Sequence, residues 1–183
     1  VDNLWEIKTC KKSHDCLILQ NPNWFWYNES KWYQYLGYDT YTPNKTYTHR
    51  AFMPIRLAKP FRDLLVESLR PYLDQFIWSY CARNIYLPDD LPPDLDRPGG
   101  PFQRYFSPSW YNKTYYSIVV ETLIEESENN IFISEKTYKP IAFYQPFMIF
   151  GQSGILQRLH QLGFETFENL FRSEEHTSEL QSH

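Results

Sequence analysis

The chain has 183 residues, room for one domain or for part of a two-domain enzyme. Hydrophobic residues make up 42% and charged residues 22%, a balance that builds a folded core and excludes a disordered chain. The net charge of −4 argues against a general nucleic-acid binder, and no apolar run reaches the length of a membrane span. The front carries no signal-peptide pattern, and the protein is expected to be cytoplasmic; the chain starts at Val1 rather than Met, so the true start is expected to be missing.

Aromatic residues reach 19%, with 15 Tyr and 6 Trp. Such a content serves a core, but also surfaces that bind sugars or proteins. The odd set Cys10, Cys16 and Cys81 does not form a disulfide framework. Cys10, His14 and Cys16 lack an evident fourth metal ligand and read as free thiols near a strand. Sequons at Asn28, Asn44 and Asn112 hint at secretion.

In chain order, DCLILQ (15–20) reads as a strand, and WFWYNESKWYQYLG (24–37) as a helix closed by Gly37 or as an aromatic loop. AFMPI (51–55) is a strand that Pro54 weakens as a central one. Pro60 suits the first turn of a helix, continued by Phe61, Leu64, Leu65 and Leu69 at helical spacing. FIWSY (76–80) is a second strand, and 87–113 a long Pro/Gly-rich loop. YSIVVE (116–121) has the β-branched run of a strand covered on both faces. TLIEESENN (122–130) is a loop or short helix, and IFIS (131–134) a short strand. EKTYKPIAFYQ reads as a helix with Ser134 as N-cap and Pro140 ending or kinking it. PFMIFG (146–151) is a buried strand. SGILQRLHQLG (153–163) is an amphipathic helix with Ile155, Leu156, Leu159 and Leu162 inward and Gly163 closing it.

This alternation predicts an α/β fold, Rossmann-like, with a largely parallel sheet. Ligands of such sheets sit beyond the carboxyl ends of the strands. There is no G-x-G-x-x-G and no Walker loop, which argues against a dehydrogenase or a P-loop enzyme. At the predicted rim fall Arg56, Lys59 and Arg62 after the first strand, Glu121 ending YSIVVE, and Glu135, Lys136 and Lys139 opening the next helix. A helix N-terminus with Lys and Arg beside it suits phosphate, and carboxylates there accept from sugar hydroxyls. Such a set describes a site for a sugar carried on a nucleoside diphosphate. The alternative is a solvated surface on which Glu135 simply pairs with the lysines.

The stretch YSIVVETLIEESENNIFISEKTYKPIAFYQPFMIFGQSGILQRLHQLGFETF resembles the C-terminal donor-binding half of α-1,3-fucosyltransferase-type glycosyltransferases. That family has a strand ending in Glu, a spacer, a T-E-K triplet opening a helix, and a hydrophobic Pro-containing strand. Here the triplet is Ser134-Glu135-Lys136, with Ser in place of Thr. The likeness is closer to virus-encoded and environmental glycosyltransferase-like proteins carrying S/T-E-K-T-x-K-P-I. It reaches back to RLAKPFRDLLVESL, where Phe61 replaces the His of a Pro-His-Arg run. It covers about Phe52–Phe171 and fades before that.

The resemblance implies the truncated C-terminal half of a GT-B-type glycosyltransferase that transfers a sugar to a glycan or other hydroxyl acceptor. Residues 1–48 would be an aromatic-rich remnant of an acceptor domain, and 49–171 the nucleotide-sugar-binding domain. Residues 172–183, RSEEHTSELQSH, read as translated sequencing adapter and are expected to be a non-native tail. The implied donor-binding set is Arg56, Arg62, Glu121, Ser134, Glu135, Lys136 and Lys139. In it Lys136 meets the diphosphate, Glu135 the ribose, and Arg62 (or Arg56) phosphate, while Glu121 binds the donor sugar or organises the site. No metal and no cofactor beyond the donor are implied, although Asp94-Leu95-Asp96 matches a D-x-D in a loop. For a virus-encoded protein the compartment would be the host cytoplasm. The general base is not identified; His49 is a candidate against a plain loop histidine. The rival readings are a noncatalytic glycan- or protein-binding module and a viral structural protein that kept the fold.

Overall fold

The computed structural model describes residues 6–9, 17–20, 31, 33–87, 108–125 and 131–167. The Cys10, His14 and Cys16 group, Asp94 to Asp96, most of the long loop and the tail 172–183 lie outside them. Strands β1 (Glu6–Thr9) and β2 (Leu17–Gln20) pair antiparallel. Then follow β3 (His49–Ile55), α1 (Pro60–Leu69), β4 (Phe76–Tyr80), α2 (Ser109–Lys113), β5 (Thr114–Val120), α3 (Glu135–Ala142), β6 (Phe147–Phe150) and α4 (Ile155–Gln161).

Strands β3 to β6 form one sheet in the order β4-β3-β5-β6, with every pairing parallel. This is the α/β, Rossmann-like arrangement that the alternating pattern predicts. From β3 the chain steps to β4 on one side and later to β5 on the other. The carboxyl ends of β3 and β5 therefore flank the point where the strand order reverses, and a crevice opens there.

Alternate residues of β5 face opposite ways. Ile118 and Val120 pack with Ala51, Met53 and Ile55 against Phe61, Leu65 and Leu69 of α1. Val119 turns to the other face and joins Phe147, Tyr138 of α3, and Ile155 and Leu159 of α4. A third cluster holds Phe52, Ile77, Trp110, Tyr111 and Phe143, with Tyr33 buried in it, so the segment before β3 contributes to this core. The rings of Tyr111 and Phe143 stack 4.6 Å apart.

Pro54 was expected to weaken its strand as a central one, yet β3 lies between β4 and β5. The registered β3–β5 pairs run only from His49–Thr114 to Phe52–Ser117. Pro54 lies past them, so its missing N–H breaks none of these registered pairs. The long loop expected over 87–113 ends earlier, because Ser109–Lys113 is helical and buries Trp110 and Tyr111. IFIS forms no strand: Phe132 N–H donates to the Gln152 side chain instead of to a ladder. Residues 31 and 33–35 are helical and Gly37 turns the chain at φ +67°. α3 runs two residues past Pro140. No helix among the described residues is long and apolar enough to cross a membrane.

Leu159 is fully buried, whereas Leu64 is 66% exposed. Leu159→Ala should therefore lose about 2–5 kcal/mol of stability in urea titration. Leu64→Ala should stay within about 0.5 kcal/mol. Equal losses would contradict this assignment of the core.

Candidate functional site

Two strand ends and one helix start meet at the crevice. Directly after β5 comes Glu121, which is 0% exposed and whose carboxylate gathers four donors. Oε1 accepts from Ser134 N at 3.0 Å and Thr137 Oγ1 at 2.7 Å. Oε2 accepts from Ser134 Oγ at 2.6 Å and Thr122 N at 3.2 Å. A buried carboxylate is tolerable only with such satisfaction. This one fixes where the chain leaves β5 and where α3 begins. Close by is Gly151, where a Cβ would lie 3.0 Å from Glu121 Cβ and 2.9 Å from Ile155 Cδ1. The absence of a side chain there lets β6 end against the buried glutamate.

Ser134 is the N-cap of α3 and accepts from Lys136 N. The Lys136 ammonium sits over this cap, 3.1 Å from Ser134 Oγ, 3.2 Å from Thr122 Oγ1 and 3.3 Å from Glu135 Oε1. Glu135 in the first turn complements the helix dipole, and its pairing with Lys136 offsets the misplaced cation.

From the other side, the turn after β3 is tied to the same strand end. Lys59 Nζ donates to Thr122 O at 2.7 Å. Arg62 is 4% exposed; its Nη1 donates to Leu57 O and its Nη2 to Glu121 O, both at 2.9 Å. Burial pulls the guanidinium below its ordinary value, with Tyr80 and the Glu121 charge pulling it back. Below this, Tyr80 and Arg83 both bind Asp63, joining the end of β4 to α1. Arg83 is the main cause holding the Asp63 carboxyl below its usual range.

In front of the helix start lies a cavity of about 150 Å³. Its floor is apolar, with Phe52, Trp110 and Val119, and its rim carries Arg56, Lys136 and Lys139 against one carboxylate, Glu135. Lys139 also reaches Tyr33 Oη at 3.4 Å and lies over that ring.

The seven residues singled out in the sequence divide into two groups. Arg56, Glu135, Lys136 and Lys139 line the cavity, and Ser134 lies directly behind Lys136. Glu121 and Arg62 belong to the same bonded network but are buried. Glu121 cannot reach a sugar without dismantling the start of α3. Arg62 cannot meet phosphate without releasing two carbonyls. His49 begins β3, so six strand steps of about 3.3 Å, roughly 20 Å, separate it from the rim. No His, Cys, Asp or Glu group among the described residues could hold a metal ion. Thr137, Thr122 and Gly151 were not foreseen. Thr137 stands inside the E-K-T run, but nothing in a sequence tells that its hydroxyl turns inward. Comparison with known protein families and with curated proteins finds no match for the chain.

Two outcomes follow from this geometry. Arg62→Met should lose about 1.5–3 kcal/mol in urea titration, as for hydrogen bonds made by a charged donor; no loss would mean the latch is idle. Burial pushes the Tyr138 phenol up to about 12, Arg158 drawing it down and Glu121 up. The folded state then keeps a proton that the unfolded chain releases near about 10, so this contribution falls as pH rises from about 10 to about 12. Tyr138→Phe should flatten the alkaline fall of the urea midpoint over that window, and an unchanged slope would contradict the assignment.

Proposed function

We propose that this chain is a glycosyltransferase-like domain that binds a nucleoside-diphosphate sugar and transfers the sugar to a hydroxyl of a glycan or other acceptor. The observation that carries the reading is the convergence of Arg56, Lys136, Lys139 and the start of α3 on one cavity at the sheet's reversal point. Cationic side chains and a helix start suit a diphosphate, and they stabilise the charge that develops on it as the sugar departs. In this reading Lys136 and Arg56 meet the phosphates and Glu135 a ribose hydroxyl. The apolar floor takes the flat body of the ligand. Glu121, Ser134 and Arg62 act from behind by holding the rim in place.

A second reading rests on a separate observation. Tyr41 packs edge-on against Tyr144, and Tyr47 stacks on Tyr115 at 4.2 Å, with all four rings exposed. Exposed, pre-stacked tyrosines favour a noncatalytic module that binds glycans through ring faces.

Calorimetric titration with GDP, UDP and free oligosaccharides separates the two. A transferase domain binds a nucleotide, and Lys136→Ala weakens it by about 1.5–3 kcal/mol, roughly 10- to 150-fold. Binding of free glycans with no response to either nucleotide would reject the transferase reading in favour of the module.

A further inference from the structure

The start of α3 contains a hydroxyl with no spare capacity. Ser134 Oγ donates to Glu121 Oε2 at 2.6 Å, and accepts from Lys136 N at 3.3 Å and Lys136 Nζ at 3.1 Å. A serine hydroxyl offers one proton and two lone pairs, so all three are committed. The direction of that proton is not arbitrary. The amide and the ammonium of Lys136 can only donate, and an ionised carboxylate can only accept. Glu121 is therefore the one partner that can take the Ser134 proton and turn both lone pairs toward Lys136.

We propose that Glu121 is a positioning residue that acts through the Ser134 hydroxyl to hold the Lys136 ammonium at the mouth of the cavity. No ion pair joins Glu121 and Lys136 among the described residues; the serine transmits the effect. Thr122 Oγ1 and Glu135 Oε1 complete the hold on the ammonium from the front.

Exchange of one oxygen of Glu121 for an amide nitrogen reverses this arrangement. In Glu121→Gln the side-chain oxygen takes the Oε1 position, because the flipped amide would set its NH2 against Ser134 N, the shorter of the two backbone contacts at 3.0 Å against 3.2 Å for Thr122 N. The NH2 then falls where Oε2 was, facing Ser134 Oγ and Thr122 N. Ser134 Oγ then accepts from the amide, its proton turns toward the Lys136 N–H or the ammonium, and one of these two contacts is lost; either loss loosens the cap over which the ammonium sits. The carboxylate charge is also gone. This holds whichever anion the cavity takes, so it stands apart from the transferase reading.

The test is competitive lysine acetylation of the full chain, read residue by residue by mass spectrometry, with no ligand added. In the wild type Lys136 must leave three oxygens before it reacts. Glu121→Gln and Ser134→Ala should each raise its labelling rate several-fold, with Lys113 unchanged as the internal reference. The double variant should add nothing, because both changes cut the same connection. Ser134→Thr, which restores the hydroxyl, should behave as wild type. Thr137→Val removes a different donor from Glu121 and loosens the helix start without touching Ser134. It should lower the melting temperature and leave Lys136 labelling unchanged. Should Glu121→Gln not fold, Ser134→Ala against Ser134→Thr carries the comparison. An unchanged Lys136 rate in Ser134→Ala, additive effects in the double variant, or equal acceleration in Thr137→Val would each overturn the proposal.

Discussion

A single buried carboxylate organises the upper end of this molecule. Glu121 follows the inner strand β5 and takes four donors drawn from three places in the chain: the next residue, the cap of α3 and its first turn. Taking a carboxylate out of water costs several kcal/mol unless its lone pairs are filled. The sequence between β5 and α3 is therefore bound to return to it. Ser134 and Thr137 meet that demand, and so the start of α3 lies beside the strand end instead of out in solvent. Lys136 follows, because the residue two past the cap projects over the same spot.

The rim has a front and a back made of different chemistry. Behind it, Arg62 and Lys59 bind carbonyls of Glu121 and Thr122, so charged side chains are used as ties between the ends of β3 and β5. In front, Arg56, Lys136 and Lys139 face the cavity over an apolar floor. Both sets read alike in a sequence, as basic residues near strand ends. The difference is burial: the tied guanidinium keeps the crevice in shape, while the cations at the cavity mouth border open space. Pro54, past the last registered β3–β5 pair, is one of the residues that line this cavity.

Much of the fold was legible because its signals are local. The β-branched run of β5, Pro60 at the head of α1, Ser134 as a cap and the Leu/Ile spacing of α4 each state a backbone preference within a few residues. The parallel order follows from their alternation. Less legible were features set by distant partners. Pro54 argues against a central strand by propensity, and only the end of the β3–β5 pairing shows why it is tolerated. IFIS has strand composition, yet Phe132 bonds to Gln152 and Ser134 to Glu121, so no ladder forms. Trp110 and Tyr111 are buried by contacts with Phe52 and Phe143 that no short window contains. At the site, the residue types and their rim position could be read, but which of the seven line the cavity could not. Exposure at a strand end depends on how tightly the following turn closes, and here it closes completely over Glu121 and Arg62.

The most direct test of the account is a crystal structure of the chain grown with a nucleoside diphosphate. The account predicts the diphosphate at the start of α3, within hydrogen-bonding distance of Lys136 Nζ, with Glu121 still buried and bonded to Ser134. Nucleotide bound elsewhere with Lys136 still closed against Glu135, or an unliganded crevice at saturating concentration, would contradict it.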